Sequence, residues 1–375
     1  MRIADIPPVP YRRGELTAVT FIRGGEGWNF HQGPNLYEFA DDRFFMAWGV
    51  YDVQECSNDG GTLYTVSEDG GETWCKPELW LKAPNAVSWH MGLLEIRSTN
   101  RVLLICSEGH FVGAVEDRRH QRVTRWADYG RTLRRALVRI SEDGGSNWGL
   151  PVEIDPEIIV EGNEFPHYCV PYQILQLANG EVLLTVSYLH PKHRHPQRFH
   201  VAVLRSTDRG ATWQKDRDLT VPEERGAMEP RIAELEDGHL YCIMRNKSGF
   251  LYETRSTDYG RTWDEPRKTE IPSVESMSRV IRLASSRLLL VWNNVSSPKQ
   301  VPRYPLVTAL SEDGGATWGE AKILGEETGA NQLSNFDVQQ MRDGRIVLCT
   351  SHFRAQTPTC SDLDMLVFDE AWLLS

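Results

Sequence analysis

The sequence predicts an all-β fold in which one strand-and-turn unit is copied along the chain, and three observations carry that prediction. An eight-residue phrase recurs five times: SEDGGETW (67–74), SEDGGSNW (141–148), STDRGATW (206–213), STDYGRTW (256–263) and SEDGGATW (311–318). A short stretch of alternating apolar residues ending in Ser precedes each copy (TLYTVS, RALVRIS, VAVLRS, FLYETRS, LVTALS), which is the period of a strand. Six apolar hairpins interleave with these phrases. Self-similarity at this spacing means one supersecondary unit repeated many times, and helices are expected to be scarce.

The chemistry of the phrase is that of a tight turn. Its Ser and Asp side chains accept hydrogen bonds from backbone N–H groups, and a Gly at the fourth position or the next supplies an angle that a Cβ resists. The Trp then has a fixed place to pack. The hairpins start at Asn35 (NLYEFADDRFFMAWG), Met91 (MGLLEIRSTNRVLLICSEG), Pro171 (PYQILQLANGEVLLTVSY), Pro230 (PRIAELEDGHLYCIMRN), Arg279 (RVIRLASSRLLLVWNN) and Phe336 (FDVQQMRDGRIVLCTSH). In each, two apolar runs flank a turn rich in Asn, Asp, Ser or Gly. Every hairpin supplies two inner strands of a sheet, and the phrase follows between outer strands. The wider intervals between the earlier copies place long insertions in the second and third units, where specificity loops belong.

At 375 residues and 42.8 kDa the chain exceeds the length prior for one domain, but units that share one ring count as one. A single domain over 1–375 is expected. A net charge of −11 and the absence of a long basic block remove the electrostatic footprint of nucleic-acid binding. No apolar run reaches the length that crosses a bilayer, and the N-terminal MRIADIPPVPYRRGE has no apolar signal core, so a cytoplasmic protein without a membrane partner is expected. The seven Cys are odd in number, widely spread and mostly inside strand-like runs. They read as buried free thiols, and none of their spacings makes a zinc site. No metal or cofactor is predicted. The histidine-rich LHPKHRHPQRFH (189–200) is interrupted by Pro and Arg and reads as a solvated loop.

The phrase S-x-D-x-G-x-x-W resembles the Asp-box of the sialidase superfamily (BNR repeats). The resemblance implies a six-bladed β-propeller and places the boxes on the rim, so their Asp residues mark the fold and are not catalytic carboxylates. It also implies that the last blade borrows a strand from the other terminus, which pairs the apolar, β-branched segment Leu16–Phe21 with strands near Met365–Phe368. In such a ring, polar residues flanking the hairpins converge on the central channel. His90, Asn293 and His352 are candidates for substrate binding there, with Trp48 and Trp89 as sugar-stacking or core residues.

Within MEPRIAELEDGHLYCIMRN the resemblance places Glu229 at the catalytic Glu and Arg245 at a substrate-carboxylate arginine. RYPLVTALSEDGGATW places Arg303 at another. Forked guanidinium donors suit a carboxylate. Two departures stand out: HQGPNL (31–36) carries no arginine where the family has F-R-I-P, and LSNFDV (333–338) has Asn335 or Phe336 where the family has its nucleophilic Tyr. Asp59, with Glu55 and Asp52 nearby, is the candidate general acid. These residues point to an exo-acting glycoside hydrolase on an acidic sugar, sialic or uronic, needing two carboxyl groups. A polysaccharide lyase using His167 and Tyr168 on a uronate, and a non-catalytic glycan-binding propeller, are the alternatives.

Overall fold

The computed structural model describes residues 2, 16–25, 27–52, 55, 57–84, 86–111, 131–160, 168–193, 196–299, 301–326, 331–355 and 360–375. Strands dominate, and the only helical pieces among these residues are the short Pro156–Ile159, Pro191–His193 and Glu370–Leu374. No described helix is long and apolar enough to cross a membrane.

Four antiparallel sheets of four strands each run in chain order, and a fifth sheet has eight. The strands that open the sheets are Val87–Glu95, Cys169–Gln176, Met228–Glu234 and Arg279–Arg282; in the eight-stranded sheet Phe30–Glu38 and Gln332–Gln340 hold the same position in the two halves. These six strands follow one another around a common channel, each touching the next, and the last touches the first. The expectation of six separate sheets differs at one point. Cys360–Phe368 pairs in parallel with Phe30–Glu38 through Ser361 and Phe30, which fuses the first and last four-stranded units.

The ring closes as the sequence predicts. Thr17–Ile22 pairs antiparallel with Cys360–Phe368, Val19 opposite Met365 and Thr20 opposite Asp364. Val19 and Phe21 are buried, and Phe21 meets Trp48 and Trp74 edge-on at centroid distances of 6.0 and 5.5 Å. Elsewhere the second strand of each sheet is covered on both faces, which is why Leu103–Ile105, Val182–Leu184 and Leu288–Val291 read as unbroken apolar runs. Neighbouring sheets share one apolar layer, as where Leu103, Ile105 and Val138 pack with Leu184, Val186 and Leu204. Each such fully buried side chain contributes roughly 1.5–3 kcal/mol.

The five phrases share one turn, in which the opening Ser Oγ donates to the Asp carboxylate and accepts from the N–H of the fifth residue in every copy. In the first, Gly71 N donates to Ser67 Oγ (2.9 Å), Ser67 Oγ to Asp69 Oδ1 (2.8 Å), Thr73 N to the same Asp69 oxygen (2.8 Å) and Trp74 Nε1 to Gly71 O (3.0 Å). Donors from Thr73 hold the Asp69 carboxyl down at about 2. Two successive residues take positive φ, and the second is always Gly: 71, 145, 210, 260 and 315. The first tolerates Arg209 and Tyr259, so the fifth position is the one that demands glycine. At Gly210 a Cβ would lie 2.4 Å from Leu103 Cδ1. Among the described cysteines, five are buried and Cys75 is exposed, all as free thiols.

Candidate active site

Five of the six ring-lining strands carry a β-bulge near their start, between Gln32 and Asn35, His90 and Gly92, Pro171 and Gln173, Met228 and Arg231, and Ser334 and Asp337. A bulge bends the strand and re-aims a side chain. The extra residues are Gly33, Met91, Tyr172, Glu229 and Asn335, and all five line one central cavity. Gly33, Glu229 and Asn335 take φ of +58°, +52° and +51°, the left-handed region that a side chain resists. Glu229 is held there by its own N–H, which donates to Ser187 Oγ of the preceding sheet at 3.1 Å.

The structure brings Glu229, Arg245 and Arg303 into one charge cluster. Arg245 Nη1 donates to Glu229 Oε1 at 2.9 Å, and Glu229 Oε2 has no hydrogen-bond partner among the described residues. Glu275 lies behind, 4.0 Å from Arg245 Nη2, and takes Arg225 Nη1 at 2.6 Å. Arg303 Nη2 donates to Glu275 O at 3.3 Å. Burial and the neighbouring Arg245 lower Arg303 to about 10, still cationic at neutral pH. Burial alone would lower Arg245, but Glu229 and Glu275 raise it above the usual arginine value. Glu229 is in the cavity wall, whereas neither arginine is: Arg245 is held by the Glu229 carboxylate and Arg303 donates to the Glu275 backbone carbonyl.

The acidic partner is Glu55. It lines the cavity, and burial pushes its carboxyl up against the opposing pull of Arg303, so it retains a proton more readily than an ordinary Glu. Asp59, by contrast, accepts from Ser57 Oγ and from Asp52 N (3.2 Å) at the base of the same loop, outside the cavity wall.

Tyr172 and Arg134 were not singled out in the sequence. Burial, reinforced by the charge of Glu229, holds the Tyr172 phenol well above its usual value. Arg134, 1% exposed, lies over Trp89 with its guanidinium carbon 3.8 Å from the ring centroid. It donates to Ser107 Oγ (2.6 and 3.0 Å) and to Tyr168 OH (3.0 Å), and has no ion-pair partner among the described residues. Tyr168 is thereby committed to Arg134, while His167 lies outside the described residues. The signal that could have found Tyr172 is its register: it follows Pro171 in the third opening strand, as Glu229 precedes Pro230 in the fourth. Arg134 sits on a third strand, Leu133–Ser141, where no hairpin pattern directs attention.

The remaining candidates separate. His90 lines the cavity but is buried beside Trp80 and Phe45, which lowers it to about 3 and keeps it neutral. Asn293 is fully buried; its Nδ2 donates to Leu333 O (2.9 Å) and its Oδ1 accepts from Ser276 Oγ (2.8 Å), so it splices two sheets. His352 is buried beside Asp364, apart from the cavity. Trp48 is core, its Nε1 donating to His31 Nδ1 at 2.9 Å, and Trp89 is the cavity-lining indole. The loop histidines His190, His193 and His200 do gather, with centroids 5.2 to 5.5 Å apart.

An all-β ring of antiparallel sheets whose opening strands surround one central cavity, with Glu229 and Tyr172 in its wall, defines a propeller-like fold. Residues 120–348 match the family model for the BNR repeat-like domain, more than half of the chain. The chain belongs to that family, within the sialidase-like BNR propeller superfamily. Solved structures agree in fold. The Hadza microbial sialidase Hz136 superposes with a TM-score of 0.72 at 15% identity, covering 95% of this chain and 69% of that one. The NanB sialidase from Streptococcus pneumoniae gives 0.73 at 13% identity, covering 97% and 71%. A Dyadobacter fermentans protein of unknown function gives 0.70 at 18% identity, covering 96% of this chain and all of that one. No curated protein matches the sequence.

Proposed function

We propose that the chain is a single six-bladed propeller, its eight-stranded sheet being two blades joined by one parallel bridge, and that it is an exo-acting glycoside hydrolase on an acidic sugar. The observation that carries the reading is the cavity whose wall holds Glu55, Tyr172 and Glu229 with Arg134, Arg231 and Arg279, and beside whose Glu229 stand Arg245 and Arg303. Within a chain of net charge −11 this is a local excess of guanidinium, which favours a carboxylate-bearing ligand. The sialidases among the similar structures act in their own right; at this level of identity they support the fold, and the substrate is argued from the cavity.

In the proposed reaction Glu55 gives its proton to the leaving glycosidic oxygen. Glu229, whose second oxygen is unpartnered among the described residues, takes the proton of the Tyr172 phenol as that oxygen attacks the anomeric carbon. Water then displaces the tyrosyl oxygen, with Glu55 as base and Glu229 returning the phenol proton. Tyr172 replaces, from a different strand, the tyrosine missing at Asn335. A screen of aryl glycosides of sialic and uronic acids with product analysis tests the class: turnover to a free reducing sugar supports it, and an ultraviolet-absorbing unsaturated product would establish a lyase instead. Glu229→Gln should lower kcat by about 100-fold or more with folding retained. Undiminished activity in that variant removes Glu229 from the chemistry.

A further inference from the structure

We infer that His352, Asp362 and Asp364 form a binding site for a divalent transition-metal ion, outside the wall of the central cavity, that ties together the strands closing the ring. One donor atom from each of the three lies within 4.8 Å of the others, and all three residues are buried. Strand register explains the grouping. His352 stands opposite Asp362 and Thr350 opposite Asp364 on Ile346–Arg354 and Cys360–Phe368, so the three side chains share one face of the sheet.

Asp364 is the reason to invoke an ion. It is 0% exposed, and neither carboxylate oxygen accepts a hydrogen bond among the described residues. Thr350, its cross-strand neighbour, turns its hydroxyl to Ser334 O instead. Asp362 is already served, its Oδ1 accepting from Gly24 N (2.8 Å) and Arg354 Nη2 (2.7 Å). The nearest polar neighbour of the buried Asp364 carboxylate is His352, and the carboxylate's Oδ1 has no donor among the described residues; a buried charge so sparsely met is one that coordination of a metal would satisfy. His352 Nδ1 lies 3.0 Å from Asp364 Oδ2. That is the separation of two ligands on one ion with bonds of about 2.0–2.2 Å.

A set of one imidazole and two carboxylates suits Zn²⁺ or Mn²⁺, whereas Ca²⁺ prefers oxygen ligands throughout. Its place in the fold gives the ion a task. Asp364 stands opposite Thr20 of the closing strand Thr17–Ile22, and Asp362 holds Gly24 just beyond that strand's end. An ion on Asp362 and Asp364 would stiffen the third strand to which the terminal segment is attached.

The test uses the full chain, stripped with a chelator and titrated calorimetrically with Zn²⁺ and, separately, with Mn²⁺, with metal content measured on the dialysed protein. One ion per chain is expected, together with a Tm that rises with ion concentration. Asp364→Asn and His352→Gln should weaken binding by about 100-fold or more, and His193→Ala should leave it intact. Should Asp364→Asn fail to fold, the wild-type stoichiometry and the retention of binding in His193→Ala still decide. No ion taken up and a Tm indifferent to chelator would overturn the site and leave His352 and Asp364 as a buried side-chain pair. Binding that survives Asp364→Asn but disappears in His193→Ala would assign the ion to the surface histidines and equally overturn it.

Discussion

Glu229 occupies a backbone angle that its side chain disfavours, at a cost of order 1–3 kcal/mol, at the bulge that puts it in the cavity wall, where its carboxylate accepts from Arg245. The same local logic makes Tyr168 a positioning residue: its hydroxyl accepts from Arg134, whose guanidinium lies on Trp89. Tyr168→Phe leaves that donor with one acceptor fewer, so it should raise KM for an acidic substrate more than it lowers kcat. Stability in urea should fall by about 1–3 kcal/mol. An unchanged KM would separate Arg134 from ligand binding. His31 and His90 give the pH dependence. Burial depresses them from 6.5 to about 4 and about 3, so the unfolded chain takes up protons that the folded chain refuses. Stability is therefore complete above about pH 6.5 and is lost as pH falls towards 4, on the order of 1.4 kcal/mol per pH unit for each histidine. Urea midpoints measured at pH 7 and pH 4.5 should show this, and His90→Phe should reduce the slope.

The repeated turn behaves as an element with one strict position and several permissive ones. Gly210 and Gly144 both have positive φ, yet a Cβ at Gly210 would strike Leu103 at 2.4 Å while one at Gly144 would meet nothing within 4 Å. Gly144→Ala should therefore cost about 1 kcal/mol from the backbone alone. Gly210→Ala should cost about 2 kcal/mol more, through overpacking against the adjacent sheet. Equal losses in the two variants, read from chemical denaturation, would show that the packing contact does not matter. The boxes also illustrate why a repeated Asp need not be catalytic. Their carboxylates are spent on Ser, Thr and backbone donors at the rim, leaving nothing for a substrate.

At the scale of the whole molecule, closure depends on a strand drawn from near the chain start. Phe21 is buried against two tryptophans, and Phe21→Ala should cost about 3–5 kcal/mol and loosen Thr17–Ile22 from Cys360–Phe368. Amide exchange in both strands should accelerate together; acceleration confined to residues around 21 would mean that closure does not rest on that contact. The eight-stranded sheet was not legible in advance, because a single parallel pair between Phe30 and Ser361 leaves no periodic trace in either segment. The all-β class and the repeated turns were legible, because alternation and turn chemistry act between residues close in the chain, whereas the pairing of 16–21 with strands near 365–368 followed from the family resemblance and not from any local pattern. Glu229, Arg245 and Arg303 could be named from local motifs, but their mutual distances could not. Whether Asp59 or Glu55 reaches the cavity, that Tyr172 from another strand stands beside Glu229, and that Asn293 and His352 serve other parts of the fold were decided only in three dimensions. The physical reason is that bulges and sheet-to-sheet packing set where each side chain points, and those depend on partners tens to hundreds of residues away, which no local pattern encodes.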